Sequence, residues 1–231
     1  IGSGFAVEGD ILVTAEHLVM DSGSENCKVI FPSKERRPVH YLKGTIIDLP
    51  NIKKRHDEEG IDVAVLKLPA LETYPEAGAI FSQYPAIPYP ICDNPMMLAP
   101  LDSQGRLTGR GDKLLHFGYP SNFLNQDYLS KLDGEVITYA DIGGVKEQLS
   151  QDGTFTFKSP IFQYTNDESR PHAYMVSRVP SFYGDSGGLA FNATKQCVLG
   201  PHRGGTIGRG AGENFTVFMN LGWTGARTLL P

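Results

Sequence analysis

Punctuation, more than periodicity, limits what this chain can fold into. Ten apolar or β-branched segments succeed one another: GFAVEGDILVTAEHLV (4–19), CKVIFP (27–32), GTIIDLP (44–50), DVAVLKL (62–68), KLLHFGYP (113–120), GEVITYA (134–140), FTFKSPIF (155–162), AYMVSRV (173–179), GLAFNATKQCVLG (188–200) and FTVFMNL (215–221). Gly, Pro, Asp and Asn close them off, so each reads as a strand or a hairpin. Helical periodicity is weak, and residues 122–132 and the last few residues are the places where short helices are expected. Many short strands with turn signals between them predict an all-β sandwich or barrels. Prolines at 69, 75, 85, 88, 90, 95 and 100 resist both helix and central strand. That run reads as a connection between an N-terminal β lobe (1–84) and a C-terminal β lobe (114–231), with the linker proper at 85–113.

A chain of 231 residues is long enough to bury a real core as one large domain or two packed lobes. The net charge is −5 and no basic stripe is present, which argues against nucleic acid as a partner. No apolar run approaches the ~18 residues needed to span a bilayer, and no signal peptide stands at the start. The three cysteines, Cys27, Cys92 and Cys197, have neither metal-ligand spacing nor an even count. They read as free thiols, in keeping with a compartment that does not form disulfides; nothing else bears on localisation. Sequons at Asn192 and Asn214 are common enough by chance to decide nothing.

Three stretches carry potential chemistry. In SFYGDSGGLAF (181–191), one serine is ringed by Gly184, Gly187 and Gly188. Glycines there let something approach the backbone, or let N–H groups point outward. The N–H groups of Gly184 and Ser186, with that of Asp185 in support, can converge on a developing oxyanion. A serine hydroxyl is a poor nucleophile without a base. Of six histidines, His17 stands out, because it follows the apolar strand ILVTA and can project from the strand end into a cleft. An acid is then needed to orient the imidazole. Asp62 opens the apolar strand DVAVLKL, where a carboxylate is costly unless hydrogen-bonded. Asp48 and Asp57 are weaker rivals.

Taken together, TAEHLV, GIDVAVLKL and GDSGGLAF resemble, in order, the His, Asp and Ser motifs of the chymotrypsin-like serine proteases (clan PA). The opening IGSGFAVEGDILVTAEH is similar to the strand before the catalytic His in HtrA-like and bacterial or viral members. The resemblance implies two six-stranded antiparallel β-barrels with the catalytic cleft between them, a His17/Asp62/Ser186 triad and no metal or organic cofactor. It implies a peptide or protein substrate bound in extended form along the backbone of Arg203, Gly204 and Gly205.

Departures from the digestive members shape further expectations. His17 lies so soon after Ile1 that Ile1 falls within the second strand of the first barrel. The first strand is expected to be missing or supplied from elsewhere, as in a processed polyprotein product or a piece of a larger chain. The position of the trypsin-type pocket acid is Pro180, so cleavage after Lys or Arg is not expected. Ser181 and His202, in GPHRGG, resemble instead the pocket of glutamate-specific bacterial and picornavirus- or potyvirus-type proteases, with Arg203 adding positive field. That implies Glu or Gln at the first substrate position. The alternative is a protease-fold binding or regulatory module without turnover. An esterase is disfavoured, because its acid and His follow the serine.

Overall fold

In the computed structural model the alternating segments resolve into two antiparallel sheets. The structure describes residues 2–8, 10–20, 26–31, 40–47, 49–69, 86–93, 96–120, 129–149, 152–154, 156–206 and 215–230. The first sheet has the order β1-β2-β5-β4-β3, from β1 (Gly4–Glu8), β2 (Ile11–Thr14), β3 (Asn26–Phe31), β4 (His40–Ile46) and β5 (Ala64–Lys67). The second contains β6 (Lys113–Gly118), β7 (Ser130–Leu149), β8 (Thr156–Thr165), β9 (Tyr174–Ser177), β10 (Leu189–Asn192), β11 (Cys197–Thr206) and β12 (Phe215–Met219). Its order β6-β10-β11-β12-β9-β7 closes on itself through β6–β7 pairing, and β8 is added outside as the hairpin partner of β7.

The C-terminal lobe is thus a closed six-stranded barrel with one extra strand. The N-terminal sheet holds five strands among the described residues and forms a half-barrel. The edge expected to lack a partner is that of β1, and among the described residues the Pro-rich segment makes a hydrogen bond to it: Ile87 N–H donates to the Ala6 carbonyl at 3.0 Å.

Strand alternation decides where each apolar residue goes. Phe5, Val13, Ile61 and Val63 of the first lobe share one core with Ala140, Tyr174, Val176, Val217 and Met219 of the second. Leu12, Ala64 and Leu66 point the other way, into a core with Val19, Ile46 and Ile52. Both faces of β2 and β5 are covered, which is why these strands read as continuous apolar runs. A third cluster, with Leu114, Val136, Tyr139, Met175 and Phe218, fills the barrel.

Several expectations are corrected. GTIIDLP is not one strand: β4 ends at Ile46, and helix α2 (Leu49–Glu59) begins three residues on. This helix was hidden by its charged sequence; among the side chains described from 51 to 59, Ile52 and His56, four residues apart on one face, are the buried ones. Gly60, at φ +74°, ends it with a left-handed cap whose N–H reaches the His56 carbonyl. The helix expected at 122–132 is contradicted at residues 130–132, which lie in β7, while 122–128 fall outside the described residues. Short helices do form at α1 (His17–Met20) and, as expected near the end, at α3 (Thr224–Arg227).

The reading of three free thiols also fails. Cys92 and Cys197 form a disulfide with Cα atoms 5.0 Å apart, and only Cys27 is free. Their separation of 105 residues left no trace in the sequence. The bridge is built by the Pro-rich segment, which does not hang free: Cys92 N–H donates to the Val198 carbonyl and Val198 N–H to the Pro90 carbonyl. Asn192 is buried, donates to Asp112 and accepts the Thr194 and Lys195 N–H groups, so in the fold it offers no amide for glycan attachment. Asn214 lies outside the described residues. Among the described residues no helix is long and apolar enough to cross a membrane.

Candidate active site

His17 begins α1, directly after β2, and Asp62 precedes β5, the neighbour of β2 in the sheet. Adjacent strands therefore place the two side by side. Asp62 Oδ2 lies 2.8 Å from His17 Nδ1, and Asp62 Oδ1 accepts the His17 backbone N–H at 3.0 Å. Asp62 is 1% exposed, while the His17 side chain is 38% exposed and faces the solvent side. Burial works against the ionised Asp62, but His17 and then Arg203 outweigh it and hold the carboxyl far below its ordinary range. Burial also disfavours a charged His17, and the Asp62 carboxylate overcomes this and raises the imidazole above its ordinary value. Of the rival acids, Asp57 sits half-buried on α2 and Asp48 lies outside the described residues.

The loop 182–188 is two type II turns joined at Asp185. Asp185 N–H donates to the Phe182 carbonyl at 3.1 Å with Gly184 at φ +98°, and Gly188 N–H to the Asp185 carbonyl at 2.8 Å with Gly187 at φ +81°. The third position of each turn needs positive φ, hence glycine. Gly188 is small for a different reason: a Cβ there would press on the Phe117 and Asp185 carbonyl oxygens. The Gly184 and Ser186 N–H groups find no acceptor among the described residues. The Asp185 N–H, expected to share the oxyanion role, is instead consumed by the first turn. Its carboxylate is buried, accepts the Phe182 N–H at 2.8 Å, and is pushed above its ordinary range by burial.

Contacts between lobes fix this loop beside His17. Ser3, which the sequence gave no reason to single out, donates its N–H to the Ser186 carbonyl at 2.7 Å and its hydroxyl to the Gly184 carbonyl at 2.8 Å. Gly187 is pressed so closely on the Ser3 carbonyl, the Thr14 hydroxyl and Ala15 that no side chain would fit. Gly187 N–H donates to the His202 carbonyl, and His202 N–H to that of Gly188. The Ser186 hydroxyl makes no hydrogen bond with the His17 ring in this structure.

The expected pocket residues divide. Ser181 lies against Gly205: a Cβ on that glycine would sit 3.0 Å from the Ser181 hydroxyl. Gly204 and Gly205 pair with Val217 and Thr216 of β12, whereas β10 pairs with β11 only as far as Pro201. Among the described residues nothing pairs with the second edge of β11 at these glycines, and none comes within 4 Å of a Cβ placed on Gly204. His202 is buried, with its ring 4.9 Å from that of His116 and 5.4 Å from that of Phe218. Burial holds His202 at about 4 and His116, with added repulsion from His202, at about 3, so both rings are neutral near pH 7. Their four ring nitrogens have no hydrogen-bond partner among the described residues.

Arg203, expected to lend charge to the pocket, has its Nε 3.8 Å from Asp62 Oδ2 and its guanidinium over the Phe162 ring at 5.6 Å. Behind Asp62 is a second buried pair, Glu16 Oε2 with His56 Nδ1 at 2.5 Å. Glu16, His56 and Asp62 bring three potential metal-ligating groups together. The direct Glu16–His56 contact closes the space an ion shared by these two would need, and Arg203 already balances Asp62.

A closed barrel joined to a half-barrel, with a buried Asp–His pair from one meeting a double-turn serine loop from the other, defines a peptidase of the chymotrypsin-like fold. The chain belongs to the family of the trypsin-like peptidase domain, whose model matches residues 2–200. No curated protein matches it in sequence. Among solved structures it is similar to the Rv3671c protease of M. tuberculosis H37Rv in its inactive form (17% identity, 98% of this chain and 80% of that chain, TM-score 0.52). It is also similar to a Glu endopeptidase in complex with MPD (11%, 98% and 82%, TM-score 0.53). A third similar structure is the HtrA-type protease AlgW with a decapeptide (14%, 99% and 51%, TM-score 0.54). At these identities the likeness is one of fold.

Proposed function

We propose that this peptidase is a serine endopeptidase working through an acyl-enzyme. The observation that carries the reading is the buried Asp62 carboxylate on His17 Nδ1, which fixes the tautomer and leaves Nε2 as the basic nitrogen. His17 Nε2 takes the Ser186 proton as Oγ bonds to the peptide carbonyl carbon. The resulting oxyanion receives the Gly184 and Ser186 N–H groups, each worth ~2.7–4 kcal/mol in the transition state. His17 then gives the proton to the leaving amine, and water repeats the sequence to free Ser186 and the acid product.

An extended substrate adds to the open edge of β11 at Arg203, Gly204 and Gly205, backbone to backbone. Its first side chain enters beside Ser181 toward His202. A preference for Glu or Gln is supported by His202, whose ring nitrogens meet no hydrogen-bond geometry among the described residues and which can give one N–H to a carboxylate or carboxamide. A mass-spectrometric profile of the peptides cut tests turnover and preference together. Cleavage after Glu or Gln that Ser186→Ala abolishes supports the reading; cleavage after Arg or Leu removes His202 from this role.

One observation favours a second reading, a protease-fold binding module without turnover: the Ser186 hydroxyl is not hydrogen-bonded to His17. Labelling of Ser186 by a fluorophosphonate separates the two.

A further inference from the structure

Asp62 Oδ2 is shared. His17 Nδ1 meets it at 2.8 Å and Arg203 Nε at 3.8 Å, while Oδ1 is taken by the His17 backbone N–H. The Arg203 side chain is 20% exposed and sits against the face of Phe162 from β8. Its charge is therefore set against Asp62 in a poorly hydrated place, where charges act strongly on each other.

We propose that Arg203 is a positioning residue, whose guanidinium, 3.8 Å from Asp62 Oδ2, shares the charge of that carboxylate with His17. The inference rests on the reading of His17 as the base. It assigns the Arg203 side chain a task on the triad acid and leaves its backbone on the substrate edge of β11.

The groups around the pair give the sign. Facing His17 are Asp62, which favours the imidazolium, Glu16, which favours it from a greater distance, and Arg203, which opposes it. His202, from the same strand as Arg203, is neutral near pH 7. Behind Asp62, His56 of α2 is matched by Glu16: burial disfavours its charge, but the Glu16 carboxylate prevails and raises it. Tyr174 of β9 gives its hydroxyl to the Gly60 carbonyl and stays protonated, raised chiefly by burial. Arg203 is thus the permanent cation on Asp62. Without it, the attraction of Asp62 falls on His17 alone. The base would then stay protonated to higher pH.

The test is the titration of the His17 ring by NMR in the Ser186→Ala background, which needs no turnover. Arg203→Gln is expected to raise the midpoint by about one pH unit, the scale on which a nearby charge acts. Arg203→Lys, with a shorter reach, is expected to raise it by about half as much. In the active chain, the acid limb of kcat/KM should move by the same amount with KM unchanged. An unmoved midpoint, or a raised KM with an unmoved pH profile, would overturn the proposal and return Arg203 to the substrate. Should Arg203→Gln not fold, Arg203→Lys carries the test alone, and an unchanged midpoint is then decisive. Failure of the fluorophosphonate to label Ser186 would sink the protease reading without touching the midpoint.

Discussion

Ser3 N–H donates to the Ser186 carbonyl at 2.7 Å, a hydrogen bond between residues far apart in the chain and in different lobes. The loop that presents the serine is thereby held by the residue that leads into the first strand of the other lobe. The position of Ser186 relative to His17 is set by this clasp and by the shared core of Phe5, Val13, Val176 and Val217 beneath it. Catalytic competence and lobe packing are therefore one property of the molecule.

Replacing Ser186 with Ala should lower turnover by ~10⁴-fold or more while the melting temperature stays within about 2 °C, because a half-buried hydroxyl without a partner contributes little to the fold. Residual turnover within tenfold of the parent would mean that another group is the nucleophile. Assay of kcat beside a thermal melt decides it.

The acid limb of kcat/KM should lie above the ordinary histidine value of ~6.5, since Asp62 raises His17 and the base must be neutral. The same shift stabilises the fold below that value, and the contribution is lost as pH rises through the midpoint of folded His17. Asp62→Asn should cut kcat by ~10⁴-fold. A limb below pH 6 would show that His17 is not the titrating base.

Selectivity for Glu or Gln should be flat between about pH 5.5 and 8. His202 is held near 4 by burial and does not change charge in that range. A preference that collapses between pH 6 and 7 would point to a histidine with an ordinary value, not to His202. Ratios of kcat/KM for paired glutaminyl and leucyl peptides across pH give the answer.

Gly187→Ala should destabilise the fold by at least ~2 kcal/mol. Positive φ alone costs roughly 1–2 kcal/mol for a residue with a Cβ, and here the Cβ would also overlap the Ser3 carbonyl. For a chain of this size, a drop of ~4–8 °C in melting temperature is expected. An unchanged melt would mean that the two lobes do not clasp the loop as described.

Reduction of Cys92–Cys197, or the Cys92→Ser, Cys197→Ser double variant, should cost ~2–5 kcal/mol, because the bridge closes a long loop in the unfolded chain. Equal denaturation midpoints with and without reductant would argue that the bridge does not form.

What the residues alone determined was local. Turn-punctuated apolar runs specified strands. The glycines of GDSGG specified turns with positive φ at Gly184 and Gly187. An acid opening DVAVLKL and a histidine closing ILVTA marked where a carboxylate and an imidazole stood at strand ends. What the sequence left open depended on distance in space. Glu16 and His56 stand 40 residues apart until α2 carries His56 onto Glu16, and Arg203 looks like a pocket cation until Phe162 and Asp62 come beside it. Cys92 and Cys197 look like separate thiols until the Pro-rich segment runs along β11. Charge pairing and disulfide bonding act over a few ångströms, whereas these partners stand tens of residues or more apart in the chain. Only the folding of two sheets against one another decided which of them would meet.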